Sequence, residues 1–541
     1  MSIAPLTITV LTDTHYYSKE NGTSGKAYET ANSRSQKLLA ESSDVLETAF
    51  TQISEDKSSD IILISGDVTN NGELNSHKEF IKLLRKLKAD NKKVFVITAT
   101  HDFRNHGYTD AYIGDEVTQT PTAIRDDLFE MYREFGPDQA ISVHRESMSY
   151  IVQLCDGYRL FALNDDSNLS GKSGFSEECF KWISDRAEEA RKDNQIIIAM
   201  THHPLIAPSP IYEIIGKGDM LGDYDKRIEQ LADLGIQFIF TGHTHIHNIS
   251  AYQSKKGNVL YDICSCSPIG YPGAYRKVTF EPEKSTVSVK TEYINTPESF
   301  KAKGKELRTC LEEQLIGVIK KMIKTAGEDI DKLAYMATAI SIKPKIIYKF
   351  GWIIKPIFKF LNSLKIGTVA KWTKKETGLK PKEYENIRNN KVVDLITELV
   401  LNLFGGESKY PPETPTYKIT IGFLNIIDSI LRILRIDLKK IIKVVPDVSS
   451  LVEPLLYNSE FDSYNAELKI CDFINDFDTE FEKLVYPEKK QTVRKSKKGL
   501  PIIIISALLI IGFIPLWIIL LLFGYITNQI RYRDKIKQNI W

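Results

Sequence analysis

Histidine is absent from the whole second half of the chain: all ten fall at or before His247 of 541 residues. Chemistry that needs imidazole is therefore confined to the first half. Cysteine is scarce too. The six (Cys155, Cys179, Cys264, Cys266, Cys310 and Cys471) form no CxxC pair and no dense framework, which excludes a disulfide-stapled scaffold and fits buried thiols in a reducing compartment. Met1–Thr12 has no positively charged leader, and its apolar run stops at Asp13. It reads as a first strand and not as a secretion signal. The second half shows neither an internal repeat nor a nucleotide-binding loop.

Excess charge is nearly absent as well, since 71 Lys/Arg meet 70 Asp/Glu. That balance hides a division. Residues 1–300 carry 31 basic against 43 acidic side chains, and residues 301–541 carry 40 against 27. A basic half beside a long apolar stretch suggests anionic lipid head groups as a partner, and no nucleic acid is expected. The length suits two or three domains.

Five short apolar runs punctuate the first half: Thr7–Thr12, Ile61–Ser65, Val94–Thr98, Gln195–Thr201 and Phe238–Thr241. Each reads as a buried strand, and helical spacing fills most intervals between them. Such runs predict largely parallel strands covered on both faces. Each is followed within a few residues by Asp or His: Asp13 and His15, Asp67, His101 and Asp102, His202, then His243 and His245. Ligands of open α/β sheets bind beyond the carboxyl ends of the strands. Alternate residues of extended chain face one way, so His243 and His245 point to one place. Imidazole is the commonest metal-binding side chain, and the pattern points to a metal site.

The blocks DTH (13–15), GDVTNNG (66–72), THD (100–102), HHP (202–204) and GHTH (242–245), in that order, resemble the calcineurin-like metallophosphoesterases over roughly residues 7–280. GDVTNNGE and HHP further resemble the class III cyclic nucleotide phosphodiesterase branch. The resemblance implies an αββα sandwich and two divalent ions drawn from Mn, Fe, Zn or Ni. It implies that Asp13, His15 and His245 hold one ion, that Asp67 bridges, and that His202 and His243 hold the second. It also implies in-line attack on a phosphoester by a metal-bound hydroxide, with His101, oriented by Asp102, protonating the leaving oxygen. Where the family has Gly-Asn-His this chain has Ala99-Thr100-His101. Thr100 thus takes the position of a second-metal ligand with a poorer donor, and a degenerate, non-catalytic site is an alternative. His203, Asn164 and Tyr271 are the candidates for substrate contact. His77, in a polar stretch, is expected to be solvated, and His106 and His144 to lie in loops or at the surface.

After about residue 296 the spacing predicts helices over 300–325, 329–340, 389–403, 417–434 and 461–484. Lys343–Lys375 alternates lysines with large apolar residues, which suits either an interfacial surface on anionic lipid or a helix with solvated lysines. Residues 501–526 carry no charge, and that length and composition predict a transmembrane segment. Six Lys/Arg precede it closely and four follow, which places the catalytic half on the cytoplasmic side of a single span. Pro515 leaves a kinked span or a re-entrant hairpin open.

The expected organisation is a catalytic domain (1–296), a mainly helical accessory domain (297–490), and a basic flank, span and tail (491–541). The expected activity is hydrolysis of phosphodiesters at a membrane, of cyclic nucleotides by resemblance. A phospho- or pyrophosphate-lipid hydrolase and a non-catalytic membrane scaffold are the alternatives.

Overall fold

The computed structural model describes residues 3–33, 35–166, 173–209, 212, 216–338, 344–345, 348, 360, 362–407, 409–433, 447–457 and 462–474. Fifteen strands are present among them. They are β1 (Leu6–Leu11), β2 (Ile61–Ser65), β3 (Lys93–Ile97), β4 (Tyr108–Ile113), β5 (Glu116–Pro121), β6 (Ser142–His144), β7 (Ser149–Cys155), β8 (Tyr158–Ala162), β9 (Ile196–Met200), β10 (Phe238–Thr241), β11 (Asn248–Gln253), β12 (Val259–Cys264), β13 (Ala274–Glu281), β14 (Thr286–Tyr293) and β15 (Ala466–Lys469).

Two large sheets result, in the orders β15-β14-β13-β1-β2-β3 and β11-β12-β10-β9-β8-β7-β6, beside a two-stranded sheet β4-β5. The runs that end in Asp or His form β1, β2, β9 and β10 inside these sheets and β3 at the edge of the first. β1, β2 and β3 are mutually parallel, as are β8, β9, β10 and β12. Burial on both faces explains their continuous apolar composition. Ile8, Val10, Leu63 and Phe95 of the first sheet meet Leu160, Ile198, Phe238 and Phe240 of the second in one core. Ile62, Ile64, Val94 and Val96 turn the other way, onto the helices Ser42–Glu55 and Leu74–Ala89. Ile197, Ala199 and Ile239 turn onto Glu177–Lys192 and Tyr224–Asp233. Alternating burial along each strand thus builds the expected four layers.

Between β3 and β6 the stretch 104–141 contains the β4–β5 hairpin. One expectation needs correction. The end of the helical half is not all helix, because β15 adds antiparallel to β14. The segment around it is stitched to the sheets. Arg276 is fully buried and donates to the carbonyls of Ser463 and Cys264, and Gln237 exchanges two hydrogen bonds with Cys471. The helices Leu307–Glu328, Val392–Gly405, Pro415–Ile433 and Ser449–Leu456 share one apolar cluster with residues of the first half, among them Leu38, Leu39, Ile269 and Tyr271. The two halves are joined by a common core.

Among the described residues no helix is long and apolar enough to cross a membrane. The expected span 501–526 lies outside them, as does most of 343–362. All six cysteines are unpaired.

Candidate metal centre

The strand ends of both sheets converge. Asp13 N–H donates to Gly66 O and His15 N–H to Asp67 O, so the turns after β1 and β2 run side by side. Gly242 N–H donates to His202 O and ties the turns after β9 and β10. Two glycines permit this approach. A Cβ on Gly242 would stand 2.3 Å from Asp13 Oδ2, and one on Gly66 would stand 2.7 Å from His202 Nδ1.

Asp13, His15 and His245 form one cluster of ligand atoms, and Asp67, His202 and His243 form a second, each spanning no more than 4.8 Å. Within the first, His15 Nε2 and His245 Nε2 are 3.0 Å apart, and Asp13 Oδ1 lies 3.2 Å from His245 Nε2 and 3.6 Å from His15 Nε2. Within the second, Asp67 Oδ2 and His243 Nδ1 lie 3.1 and 3.3 Å from His202 Nε2. The clusters adjoin, since Asp67 Oδ2 is 4.0 Å from His15 Nε2 and Asp13 Oδ1 is 4.0 Å from His202 Nε2. Donors bound to one ion at about 2.1 Å stand about 3 Å apart, the spacing seen here.

The polar atoms support the fit. Asp13 Oδ1 and Asp67 Oδ2 are buried with no hydrogen-bond partner, although such atoms are costly to leave unpaired. Their sister oxygens are fully engaged. Asp13 Oδ2 accepts from His243 N–H and Thr12 Oγ1, and Asp67 Oδ1 accepts from His101 N–H. His202 Nδ1–H donates to Ser65 O at 2.9 Å, which leaves Nε2 as the ligand atom. The backbone is bent to the same end. Asp13, His15, Asp67, His243 and His245 all have φ between 40° and 64°, a left-handed conformation that costs a non-glycine residue roughly 1–3 kcal/mol and collects at functional sites.

Electrostatics agree. Burial alone would raise the carboxyls, but His245 and His202 hold Asp13 well below its usual range, and His202 and His101 do the same for Asp67. Burial opposes the imidazolium of His202, yet Asp67 and Asp13 hold its proton on well above the ordinary range. Burial and the charge of Lys37 push His15 down to about 3, and burial with His203 pushes His243 to about 4. A cation held by these carboxylates and imidazoles would supply the positive charge that the His202 proton supplies here.

The other expected residues are placed as follows. His101 stands beside His15, with ring centroids 5.0 Å apart. Its Nδ1–H donates to Asn70 O at 2.5 Å, and its Nε2 is buried without a protein partner. Asp102 does not orient it, contrary to the sequence expectation. The Asp102 carboxylate accepts from the N–H groups of Thr69 and Ala99 and fastens the turn after β3 to that after β2. Thr100 is half-buried in that turn, its carbonyl receiving Arg104 Nη1. His203 is held through Nδ1 by Asp165 at 3.0 Å, and its ring lies 4.2 Å from that of His243. Asn164 spends its amide on Thr98 O and Asp166 N–H. Tyr271 is buried near Glu407 of the helical half. His247 is buried against Thr291. His77 is not solvated: it is fully buried, bonded to the Tyr132 hydroxyl and to Asp102 O.

Sequence reading missed Gln36, whose amide touches His245 Nδ1 at 3.2 Å. It also missed buried Lys37, whose charge acts on His15 and His101, and buried Asp219, 3.9 Å from His243 Nε2. None follows an apolar run, so no local pattern marks them.

A model of the calcineurin-like phosphoesterase family matches residues 6–247. No curated protein matches the chain. Among solved structures, a dimetal phosphatase from Danio rerio is similar at 13% identity and a TM-score of 0.37, covering 53% of this chain and 95% of its own. A purple acid phosphatase from yellow lupin is similar at 12% identity and a TM-score of 0.31, covering 54% and 52%. Overlaps this low carry no assignment of substrate.

Proposed function

From the match of residues 6–247 to the calcineurin-like phosphoesterase model and from the geometry of the centre, we propose that the chain is a phosphoric ester hydrolase that cleaves phosphodiesters at a membrane. The observation that carries the hydrolytic reading is the pair of adjoining Asp/His clusters, each with a buried carboxylate oxygen turned towards imidazole nitrogens. Asp13, His15 and His245 would hold one divalent ion and Asp67, His202 and His243 the other. Two such ions supply Lewis-acid charge and acidify a shared water. Mixed carboxylate and imidazole donors suit Mn, Fe, Zn or Ni. Thr100 would add at most a weak hydroxyl to the second ion.

The remaining steps belong to the chain's own groups. His101 keeps one proton on Nδ1, pinned to Asn70 O, so its Nε2 meets the phosphoester as an acceptor. Burial, only partly offset by Asp67, holds this ring well below the ordinary imidazole range. It therefore takes up a proton at Nε2 as the anionic ester arrives, and returns it to the leaving oxygen. Lys37 supplies a cation on the same side for the phosphoryl oxygens. His203, steadied by Asp165, backs His243.

Membrane attachment rests on the charge-free stretch 501–526 and its basic flanks, whose bias favours a cytoplasmic catalytic half. Cyclic nucleotides are supported as substrates by the GDVTNNGE and HHP blocks. A phosphodiester borne by a lipid is the second reading, favoured by the basic second half beside that stretch. Metal-dependent turnover of bis(p-nitrophenyl) phosphate that is lost in Asp67→Asn tests the hydrolytic reading; its absence from Mn-loaded protein refutes it. Turnover of 3′,5′-cyclic AMP against a vesicle-borne phosphodiester separates the two substrates.

A further inference from the structure

The helical half reaches the metal centre through a short strap. Gln314, on the helix Leu307–Glu328, donates from Nε2 to Ser35 O at 2.6 Å and to Asn32 O at 3.3 Å. The next residue, Gln36, is buried, and its amide meets His245 Nδ1 at 3.2 Å. Two positions on, Leu38 N–H donates to Ile269 O. The same helix presses on that second loop, since a Cβ on Gly273 would stand 2.4 Å from Leu311 Cδ1. The loop in turn touches the centre, with Ser267 Oγ donating to Asp13 O at 2.7 Å. One helix of the second half thus braces two loops, and each touches a residue of the Asp13–His15–His245 cluster. No comparable contact to the second cluster is present among the described residues.

We infer that Gln36 is a positioning residue for His245, and that Gln314 sets Gln36, so the helical half tunes one metal site and not the other. Gln36 Oε1 is buried without a partner. Turning the amide about its last bond brings this oxygen to Nδ1–H of His245. That bond fixes the tautomer in which Nε2 carries the lone pair, and it holds the ring towards Asp13 Oδ1. Partners of this kind are worth 10–100-fold in metal affinity. The chain here takes that partner from a loop fastened by the other half of the molecule.

The inference rests on the reading of the six clustered residues as metal ligands. Mn(II) titration of the full chain in two backgrounds separates the two ideas. His202→Ala leaves the cluster with His245, and His245→Ala leaves the cluster with His202. Gln36→Leu is expected to weaken Mn(II) binding about 10–100-fold in the first background and to leave it unchanged in the second. Gln36→Glu, which keeps an acceptor, is expected to retain binding, which distinguishes the hydrogen bond from packing. Gln314→Ala is expected to give a smaller loss in the first background only. Equal losses in both backgrounds, no loss in the first, or no effect of Gln314→Ala would overturn the inference. Failure of both backgrounds to bind Mn(II) with Gln36 intact would instead overturn the ligand reading beneath it.

Discussion

Replacing Gly242 with alanine adds one methyl at the tightest point of the centre. The new Cβ would lie 2.0 Å from Thr12 Oγ1 and 2.3 Å from Asp13 Oδ2. Neither atom can yield freely. Asp13 Oδ2 is fixed by the His243 N–H at 2.9 Å and by the Thr12 hydroxyl at 2.8 Å, and Thr12 and Asp13 are fully buried. Overpacking of this kind costs about 1–3 kcal/mol, and weakening a hydrogen bond to a carboxylate about 1.5–3. Gly242→Ala should therefore lose roughly 2–4 kcal/mol of stability in urea unfolding. Because the displaced group is a ligand, Mn(II) affinity at the Asp13 cluster should fall as well. Gly317→Ala is the control: it lies in the helix Leu307–Glu328 with nothing within 4 Å of the added carbon, so it should be neutral or slightly stabilising. A Gly242→Ala protein as stable as the wild type, with unchanged metal binding, would refute the close-approach reasoning.

Three further outcomes are expected. His77 is buried and pushed to about 4, so between about pH 6.5 and 4 the unfolded chain binds a proton that the folded chain refuses, and stability falls with pH across that window. His77→Gln should flatten the profile by about 2 kcal/mol between pH 7 and 5 relative to wild type; parallel profiles would contradict this. Lys37→Met should raise KM for bis(p-nitrophenyl) phosphate more than it lowers kcat, and an unchanged KM would remove Lys37 from the substrate's side. Paired Leu509→Arg and Ile510→Arg, each costing about 2.5–3.5 kcal/mol at mid-membrane, should release the chain from carbonate-washed membranes; full retention would argue against a span at 501–526.

Much of the centre was legible because of where strands stop. The central strands β1, β2, β9 and β10 carry no Asp or His until they leave the sheet, so apolar runs ending at Asp13, Asp67, His202 and His243 marked both topology and ligands. What lay off the strands was hidden. Gln36 reaches His245 from a loop held by Gln314, and their separation along the chain leaves no spacing to read. His101 takes its partner from a carbonyl, Asn70 O, which no side-chain pattern reveals; the neighbouring Asp102 was the visible candidate and serves the turn instead. His77 was misplaced because its neighbours along the chain are polar. The helix begins at Leu74, so His77 shares a face with Phe80, Ile81 and Leu84. β15 is four residues long and finds its partner, β14, far back in the chain, too short a pattern to assign alone.

The central claim is that two ions share one carboxylate-bridged centre. Mn(II) electron paramagnetic resonance of the loaded full chain tests it most directly. Two bound ions per chain with an exchange-coupled spectrum, collapsing to isolated-ion signals in Asp67→Asn, are predicted. Two magnetically independent ions, or a spectrum indifferent to Asp67, would contradict it.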